Sequence, residues 1–265
     1  MIDVYTPRVS FEMRIAQRSA EVYADFLIPH LTSETDLLDV GCGPGTISVG
    51  LAGRARTVVG VDLEDGFDEA RTHADATGID NVGFRVGDVH SLGFPDDAFD
   101  ACLAHSMLET LERPLDALRE IRRVLRPSGV LGVASVEYGG LILHGPSVEQ
   151  LRRFYAIREE LWEREWSLHP YRGRELRGLL QAAGFERVEA STKYLSYGTS
   201  EDVRSFGRGR AEDCRDDEYA EAALRRGLAT AEELNAMERA WVAWSEAPDA
   251  FAAFAWGRAL GWKPG

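Results

Sequence analysis

The sequence predicts an α/β fold: a seven-stranded, mostly parallel sheet with helices on both faces, interrupted by helical insertions. Three observations carry that reading. Short apolar runs alternate with helical patterns from Leu37 to Glu137, a glycine-rich turn follows the first run directly, and FAAFAWGRALGW alternates near the end of the chain. Strands spaced by helices of this length belong to βαβ units, whose crossovers cover both faces of a parallel sheet.

Each element follows from a local pattern. Residues 10–31 place Ile15, Val22, Phe26 and Leu27 at helical spacing, with Pro29 near the end, and predict an N-terminal helix. Leu37 to Val40 is a short buried strand, and Ile47 to Ala52 is the helix after its glycine turn. Thr57 to Val61 and Val82 to Val86 are the next strands, with a polar-faced helix from Asp65 to Ala76 between them that stops at Gly78. Asp100 to Ala104 is a fourth strand, PLDALREIRRVLRPSG an amphipathic helix closed by Pro127 and Gly129, and GVLGVASVE a fifth strand. After Glu137 the alternation pauses in EYGGLILHGP, giving way to a charged helix from Val148 to Trp166 and a helix from Arg172 to Ala183. GFERVEAST is the sixth strand, residues 199–246 are helical, and the terminal alternation, with Phe254, Trp256, Leu260 and Trp262 on one side, is the seventh. These readings describe one domain over 1–265. Residues 1–35 form a helical cap, 36–137, 171–197 and 251–265 the sheet core, and 138–170 and 198–250 lid insertions.

Composition narrows the functions available. The 265 residues carry 30 Lys and Arg against 44 Asp and Glu, a formal net charge of −14, which disfavours binding to a phosphate backbone. At 45% hydrophobic and 28% charged residues the chain can bury a substantial core. No apolar run approaches the roughly 18–20 residues of a membrane span, and the charged start lacks the apolar centre of a signal peptide, so no membrane partner is expected and a cytoplasmic location is. Cys42, Cys102 and Cys214 are odd in number and form no CxxC pair, which suggests reduced thiols. No metal is expected, because His, Cys and carboxylates do not cluster at ligand spacing.

The chemistry concentrates on one expected edge of the sheet. In Asp39-Val-Gly41-Cys42-Gly43-Pro-Gly45-Thr46, glycines let the chain bend tightly and let a ligand approach backbone N–H groups. A dinucleotide fingerprint would place a third glycine where Thr46 stands, which counts against an NAD(P)-dependent oxidoreductase without removing it. Asp62 ends the second strand 21 residues after Gly41, where a carboxylate accepts from both hydroxyls of a ribose. Asp88 follows the third strand on the same edge, placed to accept from an exocyclic amine.

Taken in order, LLDVGCGPGT, GVD, GDVHSLGFPDDAFD and LREIRRVLRPSGVLGV resemble the class I S-adenosylmethionine-dependent methyltransferases. The likeness is strongest to the small-molecule branch that includes the ubiquinone/menaquinone-type C-methyltransferases, and it covers roughly residues 36–137. It implies a Rossmann-like fold, S-adenosylmethionine as cofactor with S-adenosylhomocysteine as product, and in-line transfer of a methyl to C, O or N of a small organic acceptor. It also implies roles residue by residue. Asp39 fixes the turn of Gly41, Cys42, Gly43 and Gly45 under the methionine portion, Asp62 holds the ribose, Leu63 packs on adenine, Asp88 accepts from the adenine amine and the Val89 N–H reaches the ring. His105 lies where cofactor and acceptor meet and is the candidate base. Ser128 stands where the family usually has a second glycine, and Glu109 where it often has a histidine.

Other groups have plainer readings. Glu137, Tyr138, His144 and His169 follow the fifth strand and are placed to act on an acceptor proton, or lie at the surface. Trp241, Trp244 and Trp256 either cap an apolar acceptor or pack a core. The acidic run from Glu212 to Glu221 is a solvated face. A protein that binds the cofactor without transferring its methyl is the remaining alternative, since fold does not fix function.

Overall fold

The computed structural model describes residues 18–215 and 217–265. The strands are β1 (Asp36–Val40), β2 (Thr57–Asp62), β3 (Val82–Val86), β4 (Phe99–His105), β5 (Leu125–His144), β6 (Glu186–Tyr197) and β7 (Phe251–Trp262). They form one seven-stranded sheet in the order β3-β2-β1-β4-β5-β7-β6, with β1 parallel to β2 and β4, β2 parallel to β3, and β4 parallel to β5. The order reverses direction at β1, and the carboxyl ends of β1 to β4 share one edge, the place where open α/β sheets bind ligands.

The helices are α1 (Ala20–Tyr23), α2 (Thr46–Ala52), α3 (Asp68–Thr77), α4 (Pro114–Val124), α5 (Val148–Arg164), α6 (Leu176–Ala182), α7 (Ser200–Asp213), α8 (Asp217–Arg225) and α9 (Ala231–Glu246). The chain divides into two compact units. The first comprises the described part of Met1–Val136 with Arg172–Thr192 and Gly257–Gly265, and the second Glu137–Tyr171 and Lys193–Trp256.

In the first unit the sheet core is built from Leu37, Leu38 and Val40 of β1 and from Cys102, Leu103 and Ala104 of β4, all buried. Helix α4 begins with Pro114, whose missing N–H costs nothing in a first turn, and turns Ala117, Leu118, Ile121 and Val124 inward. Complete burial of a side chain such as Leu118 or Ile121 contributes about 1.5–3 kcal/mol. Helix α3 ends at Gly78, whose left-handed conformation lets its N–H close on the Ala74 and Asp75 carbonyls.

The second unit has its own core, formed by Leu151, Phe154, Tyr155, Ile157 and Leu161 of α5 against Trp241 and Trp244 of α9. Both α7 and α9 open with a capping box, Thr199 with Asp202 and Thr230 with Glu233. Gly207 lets α7 approach α9, since a Cβ there would lie 2.6 Å from Ser245 and 3.0 Å from Trp244.

Four expectations are corrected. The predicted helix over 10–31 is, from residue 18 on, only the short α1 followed by a 3-10 turn at Ile28–His30, with Pro29 in the first positions of that turn, where its missing N–H costs nothing; Ile15 lies outside the described residues. Helix α4 stops at Val124, and Pro127 to Gly129 belong to β5, where they bulge out as the register jumps from Phe99↔Leu125 to Ala101↔Val130. Strand β5 runs on to His144 through the segment where a pause was expected, since glycines 139 and 140 extend as readily as they turn. The helix expected over Arg172 to Ala183 is a 3-10 turn, Arg172–Glu175, followed by α6.

Candidate functional site

The glycine turn leaves β1 and enters α2, and hydrogen bonds tie it to β2. The N–H groups of Gly41 and Cys42 donate to the Val61 carbonyl at 2.8 and 3.2 Å, and Gly45 N–H donates back to Cys42 at 3.0 Å. Three glycines of the turn have positive φ: +68° at Gly41, +54° at Gly43 and +80° at Gly45. Their surroundings differ. A Cβ on Gly41 would lie 2.5 Å from Met107, and one on Gly45 2.5 Å from Phe84, whereas nothing lies within 4 Å of a Cβ on Gly43. Gly41 and Gly45 are therefore packing glycines, and Gly43 leaves open space beside its backbone.

Asp62 closes that turn from the end of β2. Its carboxylate accepts the Gly43 N–H at 2.7 Å through one oxygen and the Leu63 N–H at 2.8 Å through the other. Each carboxylate oxygen has a second lone pair, so both retain capacity for a further donor. Leu63 beside it is 59% exposed, unusual for a leucine in a folded core protein. Asp88 follows β3 and accepts from His90 through the backbone N–H at 2.8 Å and pairs with its Nδ1 at 2.9 Å, contacts that hold its carboxyl below the usual carboxylate range. Val89 turns inward to the core.

Behind the turn, Asp39 is buried and accepts the Ser48 hydroxyl at 2.6 Å. Burial, reinforced by the Asp62 charge, pushes its carboxyl up to about 7. Burial likewise raises the Cys42 thiol, with Asp39 and Asp62 adding to the effect, so it is no thiolate.

At the end of β4, His105 is 6% exposed and meets the Tyr23 ring edge-on at 5.2 Å. Burial, with a contribution from Arg18, holds it well below the usual histidine range, so it is neutral at physiological pH. The adjoining loop holds a group whose role the sequence left open. Glu109, 4% exposed, accepts the Ser106 hydroxyl at 3.0 Å and the Ser135 hydroxyl at 2.7 Å. Burial raises its carboxyl in spite of those two donors. The pair of hydroxyls fastens the loop, which includes Ser106 at φ +57°, to β5, and the next residue, Met107, is the one packed on Gly41. No periodicity announces such a group; its signal is a Glu set among apolar residues just past a buried strand.

The structure thus brings Asp39, the glycine turn, Asp62, Leu63, Asp88, Val89 and His105 to the carboxyl ends of β1 to β4. Other candidates fall in the second unit. Trp241 and Trp244 are wholly buried in its core, and the exposed His144 lies 3.7 Å from Asp249. Among the described residues no group of three or more His, Cys, Asp or Glu is arranged to hold a metal ion, and no helix is long and apolar enough to cross a membrane.

Comparison with known proteins agrees with this geometry. Residues 38–133 match a family model described as a methyltransferase domain. An uncharacterized methyltransferase of Schizosaccharomyces pombe is 36% identical over 123 residues, covering 43% of this chain and 44% of its own, so the chain spans under half the length of that curated relative. Among solved structures, the YcgJ protein of Bacillus subtilis superposes with a TM-score of 0.59 at 18% identity, over 91% of this chain and 97% of its own. Phosphoethanolamine N-methyltransferase 2 of Haemonchus contortus, solved with phosphomonomethylethanolamine and S-adenosylhomocysteine, gives 0.59 at 16% identity, over 100% and 59%. At those identities the structures speak for the fold, and the sequence match for a likeness to methyltransferase domains over residues 38–133.

Proposed function

We propose that the protein transfers a methyl group from S-adenosylmethionine to C, O or N of a small organic acceptor. The observation that carries this is the pairing of an open, positive-φ Gly43 with Asp62, inside a stretch that matches the methyltransferase family. When bound, the cofactor supplies an electrophilic methyl on a sulfonium. The chain's part is to bind, orient and exclude water.

In this reading Asp62 accepts from the ribose hydroxyls with its remaining lone pairs, Leu63 lies against adenine, and Asp88 and the Val89 N–H take the edge of the base. Asp39 and Ser48 hold the turn of Gly41, Cys42, Gly43 and Gly45 beneath the methionine portion. His105, neutral and in proton-accepting form, is the candidate base. Its depressed basicity suits an acceptor whose proton is already acidic, such as a phenol, better than an alcohol. Alignment of the acceptor behind the methyl contributes about 7–11 kcal/mol to lowering the barrier. The net charge of −14 supports a small acceptor over a nucleic acid, and the three free cysteines support a cytoplasmic location.

Two measurements test the reading. Calorimetric titration with S-adenosylhomocysteine should give saturable binding that Asp62→Ala weakens sharply. Labelled methyl from S-adenosylmethionine should then reach at least one member of a panel of quinols, phenols and amines. Folded protein that binds no S-adenosylhomocysteine would end the reading. Tight binding without transfer to any acceptor would leave a cofactor-binding protein in its place.

A further inference from the structure

The core of the second unit contains a charge arrangement that packing alone does not call for. Arg158 of α5 and Arg210 of α7 both direct Nη1 at the same oxygen of Asp213, at 2.8 and 3.1 Å. Arg210 is 8% exposed and Asp213 7%. Among the described residues, the buried Arg210 and the partly buried Arg158 thus share one carboxylate, leaving one positive charge in excess. Buried charge without a counter-charge is strongly unfavourable, and buried donors nearly always find acceptors. Here three buried donors have none: Nε of Arg158, Nε of Arg210 and Nε1 of Trp241.

The surroundings are aromatic. The Arg210 guanidinium lies 5.5 Å from the Phe206 ring, Phe206 is 5.4 Å from Phe254, and Phe254 is 5.5 Å from Tyr155. Tyr155 also neighbours Trp241 at 6.1 Å, which brings the unpartnered indole N–H into the same cluster. Burial raises the Tyr155 phenol, so its hydroxyl stays protonated and remains a donor.

We propose that the second unit binds an aromatic monocarboxylate, its carboxylate taken by Arg158 and Arg210 and its ring by Phe206, Phe254 and Tyr155. The charge excess is one, which a monoanion neutralises and a phosphate dianion overshoots. Guanidinium forks match carboxylate geometry, and the ring walls favour an aryl group over an aliphatic acid. The site lies within this unit, and the proposal does not depend on methyl transfer.

Benzoate is the probe, with benzamide as its neutral isostere and inorganic phosphate as a non-aromatic anion. Titrated into the full chain and followed by tryptophan fluorescence and by thermal shift, benzoate should saturate and raise the melting temperature, with benzamide and phosphate at least tenfold weaker. Arg210→Met should weaken benzoate at least tenfold, and Arg210→Lys should restore part of that loss. The proposal is overturned if benzoate does not saturate by about 10 mM, if benzamide or phosphate binds as well as benzoate, or if Arg210→Met binds benzoate like the unaltered chain. Should Arg210→Met not fold, the three probes on the unaltered chain decide between these outcomes.

Discussion

Two glycines two positions apart in the same turn, Gly41 and Gly43, should respond differently to the same methyl. Gly41→Ala forces a non-glycine residue to φ +68°, which costs about 1–2 kcal/mol. It also sets a Cβ 2.5 Å from Met107 Cγ and 2.7 Å from its Cβ. Met107 is buried and fastened between its neighbours, so overpacking adds about 1–3 kcal/mol. Gly43→Ala carries the same backbone cost at φ +54° but meets nothing within 4 Å. Thermal denaturation should therefore show Gly41→Ala lower than Gly43→Ala by the overpacking increment, at about 2–4 °C per kcal/mol for a chain of this size. The open space at Gly43 is where the proposed cofactor lies, so calorimetry should show S-adenosylhomocysteine binding to Gly43→Ala weakened by about 10-fold or more, the equivalent of 1–3 kcal/mol of steric conflict. A Gly43→Ala protein that binds within twofold of the unaltered chain would refute the assignment of that space to the cofactor. Equal loss of stability in the two variants would refute the steric reasoning.

Two buried carboxyls give further predictions. Asp39, pushed up to about 7 against an ordinary 3.8, binds its proton more tightly folded than unfolded. Its contribution to stability is therefore full below about pH 4 and lost as pH rises through about 7, a change on the order of 4 kcal/mol. Urea titrations across that range should show the loss in the unaltered chain and a flatter profile in Asp39→Asn; parallel profiles would sink the assignment. Glu109→Ala leaves the Ser106 and Ser135 hydroxyls without their acceptor, at a cost of about 1–3 kcal/mol for each donor left unsatisfied. Glu109→Gln keeps an acceptor and the side-chain volume, and should fall much less in the same denaturation assay. Because burial raises Glu109, the unaltered chain should also lose stability relative to Glu109→Gln as pH rises. Identical behaviour of the Ala and Gln variants would mean the two hydroxyls are not held by this residue.

The part of the fold that the sequence disclosed is the part where one residue type does one job. Strands β1 and β4 each read as a short apolar run because both faces are buried, and Gly78 ends α3 where its left-handed conformation requires it. The placement of Asp62 and Asp88 was legible for a related reason: each stands at or just past a strand end, and a strand end on a parallel sheet has a fixed edge. What escaped was long-range. That β5 continues to His144 depends on β7 lying beside it in the sheet, and no local pattern in EYGGLILH contains that neighbour. The Pro127-Ser128-Gly129 segment carries stop signals for a helix, and the same residues serve as a bulge once β4 supplies a partner.

Glu109 shows where such reading ends for the site itself. Its two donors are Ser106, three residues before it, and Ser135, on another strand 26 residues later, and neither hydroxyl differs in sequence from any surface serine. Only the parallel pairing of β4 with β5, in which His105 faces Ala134, puts Ser135 beside the loop that follows β4. A buried acid acquires its meaning from the groups that tertiary structure brings to it, whereas a glycine with positive φ carries its requirement in its own backbone. The glycine turn could therefore be assigned from residues 39–46 alone, and the clamp that holds Met107 against it could not.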